Sequence, residues 1–122
     1  MTQKSQFSIP FTHLKNVVLG QSFELSLVFI DNKLSHHLNS TYRGKNKPTN
    51  VLSFSLSNKS GEIFIDLITA KKEMGKFEMP FDKFVKYLFI HGLLHLKGMT
   101  HGDTMEQAEK KLLYDASHRS RH

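Results

Sequence analysis

Apolar and polar residues follow two different periods along the chain, and each period predicts a different type of element. The segment FELSLVFI at 23–30 is rich in β-forming residues and partly alternates, which predicts a strand. VLSFS at 51–55 and GEIFIDL at 61–67 predict two further strands. The turn-prone SNKSG separates these two strands, and both are expected to be largely buried.

Helical spacing dominates the segments around these strands. Asp31 is placed to cap a helix that follows the first strand. Leu34, Leu38 and Tyr42 recur at every fourth position of this helix, which predicts that they form its buried face. Spacing of apolar residues predicts further helices from 81 to the glycine at 98 and at 104–116, and a short helix is expected at 69–76.

Length and composition indicate one globular domain that spans residues 1–122. With 39% apolar and 11% aromatic residues, the chain can bury a core, which excludes a disordered segment. The longest apolar run, 88–96, is far shorter than the ~20 residues that span a bilayer. The N-terminus lacks the layout of a signal peptide, and the chain has no cysteine. We therefore expect a cytoplasmic protein with no membrane attachment, no disulfides and no thiolate metal ligands.

The charge of the chain indicates an anionic partner. Lys and Arg total 17 against 11 acidic residues, which gives a net charge of +6. Nucleic acid is the commonest partner of a basic domain, because phosphate contacts by Lys and Arg release counterions. A solvated basic surface with no such partner is the alternative explanation of the same charge.

Three histidines lie in the segment HGLLHLKGMTH, residues 91–101. His91 and His95 are four residues apart and therefore share one face of the predicted helix. Gly98 ends that helix, so the chain can turn and bring His101 to the other two. Three imidazoles can hold a zinc ion and leave a fourth position for water, as in catalytic sites. The alternative is that His91 and His95 are packed core residues bonded to backbone groups.

Position 92 distinguishes this motif from the H-E-x-x-H signature of metalloproteases. That signature places its general base directly after the first histidine, where this chain has Gly92. The missing glutamate argues against proteolysis. A glycine here also suggests that another backbone, or a substrate, comes close to the helix beside the metal.

Three blocks of the sequence resemble the YbeY family of bacterial rRNA maturation endoribonucleases. HGLLHLKGMTH is similar to the family signature H-G-x-L-H-L-x-G-Y-D-H. The segment LNSTYRGKNKPTNVLSF, residues 38–54, is similar to L-N-x-x-Y-R-x-x-x-x-P-T-D-V-L-S-F, and GEIFI resembles G-D-I-x-I. Three ordered blocks over roughly half the chain are far more specific than the histidine spacing alone.

The resemblance implies an α+β fold in which helices flank a small mixed β-sheet. The part of the chain before the first strand is shorter than in the family pattern, so the first helix is expected to be reduced to 12–19. The resemblance also implies one zinc ion per chain on His91, His95 and His101, at a helix and the turn that follows it. The implied role is maturation of ribosomal RNA and ribosome quality control, with RNA and ribosomal subunits or ribosome-associated proteins as partners. Arg43 matches the family's functional arginine. Met99 and Thr100 replace the family's Tyr-Asp, which removes a carboxylate near the ligands and is expected to weaken metal affinity.

The basic residues near these motifs have both a functional and a structural interpretation. Arg43 can donate paired hydrogen bonds to phosphoryl oxygens, or it can be a solvated residue of a polar turn. Lys45, Lys47 and Lys97 could draw an RNA strand towards the metal, although each alone is typical of a solvated surface. Tyr42 could stack a base, but its position on the apolar face of its helix favours a core role.

Three functional classes remain open. The first is a zinc-dependent endoribonuclease that prefers single strands. The second is a zinc-containing ribosome assembly factor without catalytic activity, and metal-dependent cleavage separates it from the first. The third is a metallohydrolase of another substrate, which the basic charge and Gly92 disfavour.

Overall fold

The computed structural model of the chain describes residues 7–118. In this range, each predicted strand and helix is present, with small shifts in its bounds. The strands are β1 (Glu24–Ile30), β2 (Val51–Ser57) and β3 (Ser60–Asp66). The α-helices are α1 (Phe11–Leu19), α2 (Asn32–Arg43), α3 (Leu67–Glu73), α4 (Phe81–Leu96) and α5 (Asp103–His118), with a 3₁₀ turn at Met74–Phe77.

The three strands form one mixed sheet in the order β1-β3-β2. β2 and β3 pair antiparallel, because the two-residue turn between them allows only a hairpin. β1 pairs parallel with β3, because the connection between them, which contains α2 and β2, is long enough for a crossover. Helices surround this sheet, so the α+β class and the small mixed sheet expected from the resemblance are confirmed. β2 is an edge strand of the sheet.

One face of the sheet packs against α4, which is the most buried helix. Side chains alternate along a strand, and Leu27, Ile63 and Ile65 of this face are almost fully buried. At Gly92 an added Cβ would lie 3.0 Å from Ile63 Cδ1. The close approach predicted at this glycine is therefore to a side chain of β3, and the expectation of a nearby backbone or substrate was wrong. Gly92 lets α4 lie close to the sheet.

The predicted buried face of α2 is wrong. Leu34 and Tyr42 are 42% and 65% exposed, and the buried residues of α2 are Ser35 and Asn39. The reason is hydrogen bonding. Ser35 Oγ donates to Asp66 Oδ2 at 2.6 Å, and Asn39 Nδ2 donates to the carbonyl oxygen of a residue in the following loop at 2.9 Å. The polar face of α2 thus holds the loop that leads to β2.

Two further expectations can be compared with the structure. β2 was expected to be largely buried, but only its first half is, because Ser55–Ser57 are exposed at the open end of the sheet. Asp31 caps α2 as predicted, since its side chain accepts from Leu34 N at 2.8 Å. Within residues 7–118, no helix is long and apolar enough to cross a membrane.

Candidate metal centre

The three histidines of the motif meet at the C-terminal end of α4. His91 and His95 lie on one face of the last turns of this helix. Gly98, with a φ of 104°, takes the left-handed conformation that ends a helix, and the Gly98 N–H donates to the His95 carbonyl at 2.9 Å. The chain then turns back and places His101 beside the other two rings. One nitrogen from each imidazole lies within 4.8 Å of the others.

Hydrogen bonds orient two of these rings. His91 Nδ1 lies 2.5 Å from Glu109 Oε2, and a carboxylate oxygen can only accept, so Nδ1 carries the proton. His95 Nδ1 lies 3.1 Å from the Met99 carbonyl oxygen, which requires the same tautomer. In a neutral ring with the proton on Nδ1, Nε2 carries a lone pair that can bind a metal ion.

The donor set fits a zinc ion. His91 Nε2 and His95 Nε2 are 3.0 Å apart. With Zn–N bonds of ~2.0–2.1 Å in a tetrahedron, two ligand nitrogens lie about 3.3 Å apart, so only a small adjustment is needed. Two facing lone pairs at this separation repel each other unless a proton or a metal ion lies between them. The convergence of these two nitrogens with one from His101 forms a group that could hold a metal ion.

Glu109 is a residue of this site that the sequence analysis missed. It lies on α5, is 5% exposed and holds His91 through Nδ1. A signal for it was present in the sequence: Met105, Ala108 and Leu112 form the apolar stripe of α5, and position 109 falls within that stripe. An acidic residue at such a position requires a buried partner. The family signature has an aspartate where this chain has Thr100. Glu109, on α5, supplies a carboxylate to the site.

The environment of His95 favours its neutral form. Burial lowers the pKa of His95, and the neighbouring His91 lowers it further. The hydrogen bond to Met99 opposes these effects, while His101 and Arg43 add to them. A metal ligand must be unprotonated, so this shift of the pKa extends the range in which His95 can bind an ion.

A cleft of about 690 Å³ opens beside the histidines. Its second wall is β2, whose inward positions Ser53 and Ser55 line the cleft. In a strand that packs wholly on a core, these positions would be apolar. Arg43 and Lys45 complete the wall from the end of α2 and the loop after it. A phosphodiester chain in this cleft would therefore meet hydroxyls and cations next to the three imidazoles.

Arg43 reaches the cleft because α2 ends there. Gly44, with a φ of 69°, caps the helix, and its N–H donates to the Ser40 carbonyl at 3.2 Å. Asn39 fixes the loop after α2, because its side-chain amide donates a hydrogen bond to the backbone carbonyl oxygen of Lys47 in that loop. Partial burial lowers the pKa of Arg43, but a guanidinium remains protonated at any physiological pH.

The structure places the three predicted lysines differently. Lys45 lines the cleft, whereas Lys47 and Lys97 are exposed and are not among the described residues that line it. Tyr42 does not have the predicted core role. Its ring is exposed and contacts Phe54 edge to face, with the ring centroids 5.1 Å apart.

Comparison with known proteins agrees with the sequence motifs. The family model described as endoribonuclease YbeY matches residues 4–117. A protein of this name from Ehrlichia canis is 40% identical over 112 residues, which cover 80% of this chain and 73% of the relative. One from Pelotomaculum thermopropionicum is 33% identical, with 82% and 71% covered. One from Ehrlichia chaffeensis is 40% identical over 88 residues, and the chain spans about three fifths of that relative, 57%.

A solved structure has a similar fold. The solution structure of a Thermotoga maritima protein superposes with a TM-score of 0.64 and covers 91% of this chain and 81% of its own. The two sequences are 22% identical. The similarity supports the arrangement of the sheet and the helices.

Proposed function

The chain belongs to the endoribonuclease YbeY family, and from this premise we propose that it is a zinc-dependent endoribonuclease that prefers single-stranded RNA. The observation that carries the proposal is the convergence of three imidazole nitrogens at the wall of a cleft that also contains Arg43. The relatives are named endoribonucleases, and the net charge of +6 favours a polyanionic substrate.

His91, His95 and His101 would hold the ion through one ring nitrogen each. A zinc ion held in this way would supply Lewis-acid chemistry towards water and towards a phosphate. Glu109 keeps the ring of His91 in the ligating tautomer. The Met99 carbonyl does the same for His95.

Arg43 would act on the substrate itself. Its planar guanidinium donates two hydrogen bonds to the non-bridging oxygens of the scissile phosphate and stabilises the negative charge that grows there during cleavage. Lys45 lies in the same wall and would attract the neighbouring phosphates. The hydroxyls of Ser53 and Ser55 can bond to the sugar–phosphate chain along the β2 wall of the cleft.

The cleft favours a flexible strand over a duplex. His91 and His95 are partly buried in the cleft between α4 and β2, so a phosphate reaches these two ligands only if its strand can turn inwards. Ribosomal RNA is the substrate that the resemblance implies, within ribosome maturation and quality control. The proposal accordingly places the protein in the cytoplasm, with ribosomal subunits and ribosome-associated proteins as partners.

The test compares zinc-loaded protein on a single-stranded RNA and on a stable hairpin of the same composition. We expect the single strand to be cut in preference. His95→Ala, purified in the same way, controls for contaminating ribonuclease, because it removes a ligand and leaves the surface charge intact. It should bind RNA with the same salt dependence and fail to cut. If the variant cuts as fast as the parent, or if neither cuts, the hydrolase proposal is replaced by that of a non-catalytic assembly factor.

A further inference from the structure

A group of apolar side chains lies on the face of the sheet opposite to the cleft. Because side chains alternate along β2 up to its irregularity after Ser55, Ser53 and Ser55 face the cleft while Phe54 faces the other side. Tyr42, at the end of α2, contacts Phe54 with centroids 5.1 Å apart, and Phe54 contacts Phe64 of β3 at 5.9 Å. We call this group, Tyr42, Phe54 and Phe64, the outer aromatic platform.

The platform is unusually open to solvent. Tyr42 is 65% exposed, while the two phenylalanines are half-buried. The ring of Tyr42 thus presents apolar surface to water and is continuous with the partly exposed ring of Phe54. Exposed aromatic surface of this kind can serve as a binding surface.

The charges around the platform select the kind of ligand. Arg43 directly follows Tyr42, and Lys45 and Lys47 follow in the exposed loop. The nearest acid by strand pairing is Glu62, which is opposite Phe54 on β3. A polyanion would therefore run along the open edge of β2, on the side away from β3 and beside the cationic loop.

We propose that the outer aromatic platform stacks a nucleobase of a single-stranded RNA whose backbone continues from the cleft across the edge of β2. Arg43 lines the cleft and Tyr42 lies on the platform, so adjacent residues connect the two surfaces. Aromatic rings beside a track of cations are how proteins bind single strands without reading sequence. The inference rests on the proposed function for its ligand, and it adds a binding site outside the cleft.

The experiment measures the Kd of a fluorescently labelled single-stranded RNA by anisotropy, in a His95→Ala background in which the RNA stays intact. Tyr42→Ala should raise Kd by about fivefold or more, since fivefold is about the smallest effect expected from the loss of one base–aromatic stacking contact. Tyr42→Phe keeps the ring and should stay within about twofold of the parent. Tyr42→Leu keeps apolar bulk without a π face and should resemble Tyr42→Ala. Leu34→Ala, an exposed apolar residue two turns earlier on α2, is the matched control and should leave Kd unchanged.

A second measurement identifies the base as the ligand. A set of RNAs is made in which a single abasic position is moved along the strand. One of these RNAs should bind the parent protein more weakly than the intact RNA does, and Tyr42→Ala should not weaken its binding any further. An unchanged Kd in Tyr42→Ala, or retention of affinity by Tyr42→Leu, overturns the proposal. Cleavage is assayed separately in protein with His95 intact. If that protein cuts RNA while Tyr42→Ala leaves Kd unchanged, only the platform proposal fails. If it does not cut RNA but Tyr42→Ala weakens binding, the platform stands and the nuclease proposal fails.

Discussion

Glu109→Gln isolates the contribution of a buried negative charge to metal binding. The side chains of Glu109 and His91 are 7% and 18% exposed, so water screens their interaction poorly. Glutamine preserves the volume and still offers an oxygen to His91 Nδ1, so the tautomer survives and only the charge is lost. Alanine removes the partner altogether and frees the ring. Loss of such a partner costs roughly 10- to 100-fold in metal affinity, and we expect Gln near the lower value and Ala near the upper.

These factors correspond to about 1.4 and 2.7 kcal/mol, which competition with a chromophoric zinc chelator resolves. Glu106→Gln, an exposed acid in the same helix, makes the same change of net charge and is the matched control. It should leave affinity within about twofold, because exposed charges are screened. Equal affinities for the parent and for both Glu109 variants would refute the reasoning, as would a control that loses as much as Glu109→Gln.

Three other changes have expected outcomes. Arg43→Lys keeps the charge but loses the paired hydrogen bonds, so kcat should fall much more than RNA affinity. Equal losses of kcat and of RNA affinity would indicate that Arg43 only binds the RNA. Apparent zinc affinity should fall on acidification, because protons compete for the imidazole nitrogens. Burial lowers the pKa of His95, so this ligand should be lost only below ~6.5, the pKa of free imidazole; a competition titration in which acidification raises affinity would contradict this. Gly92→Ala should lower the free energy of unfolding of the metal-free protein, measured in urea, because the new Cβ meets Ile63 at 3.0 Å. Overpacking costs ~1–3 kcal/mol, and the higher helix propensity of alanine offsets at most ~1 kcal/mol of this cost. A variant more stable than the parent would contradict the prediction.

Local signals in the sequence predicted the elements and the clustering of His91, His95 and His101. The spacing of His91 and His95, with a helix-ending Gly98, contains the geometry of the site, because a four-residue step on a helix determines where two side chains lie. The third ligand needed only a short turn. The alternation along β1 and the turn between β2 and β3 likewise depend on neighbouring residues alone.

The errors concern contacts between elements far apart in the chain. The apolar stripe of α2 suggested a buried Tyr42. The buried face of this helix is instead the one that carries Ser35, because the Ser35 hydroxyl donates a hydrogen bond to the carboxylate of Asp66, 31 residues away. Glu109 was missed because its partner is 18 residues away on another helix. Periodicity shows which side chains share a face, but hydrogen bonding to distant polar groups decides which face is buried.

The central claim is that three histidines of this chain hold the ion on which RNA cleavage depends. The most direct test removes metal from the protein with a chelator, adds zinc back in steps and follows cleavage of a single-stranded RNA at each step. The account predicts that the rate rises in proportion to zinc and levels off at one equivalent per chain, and that His95→Ala shows no rise. Cleavage by metal-free protein that zinc does not change, or an equal rise in His95→Ala, would contradict it.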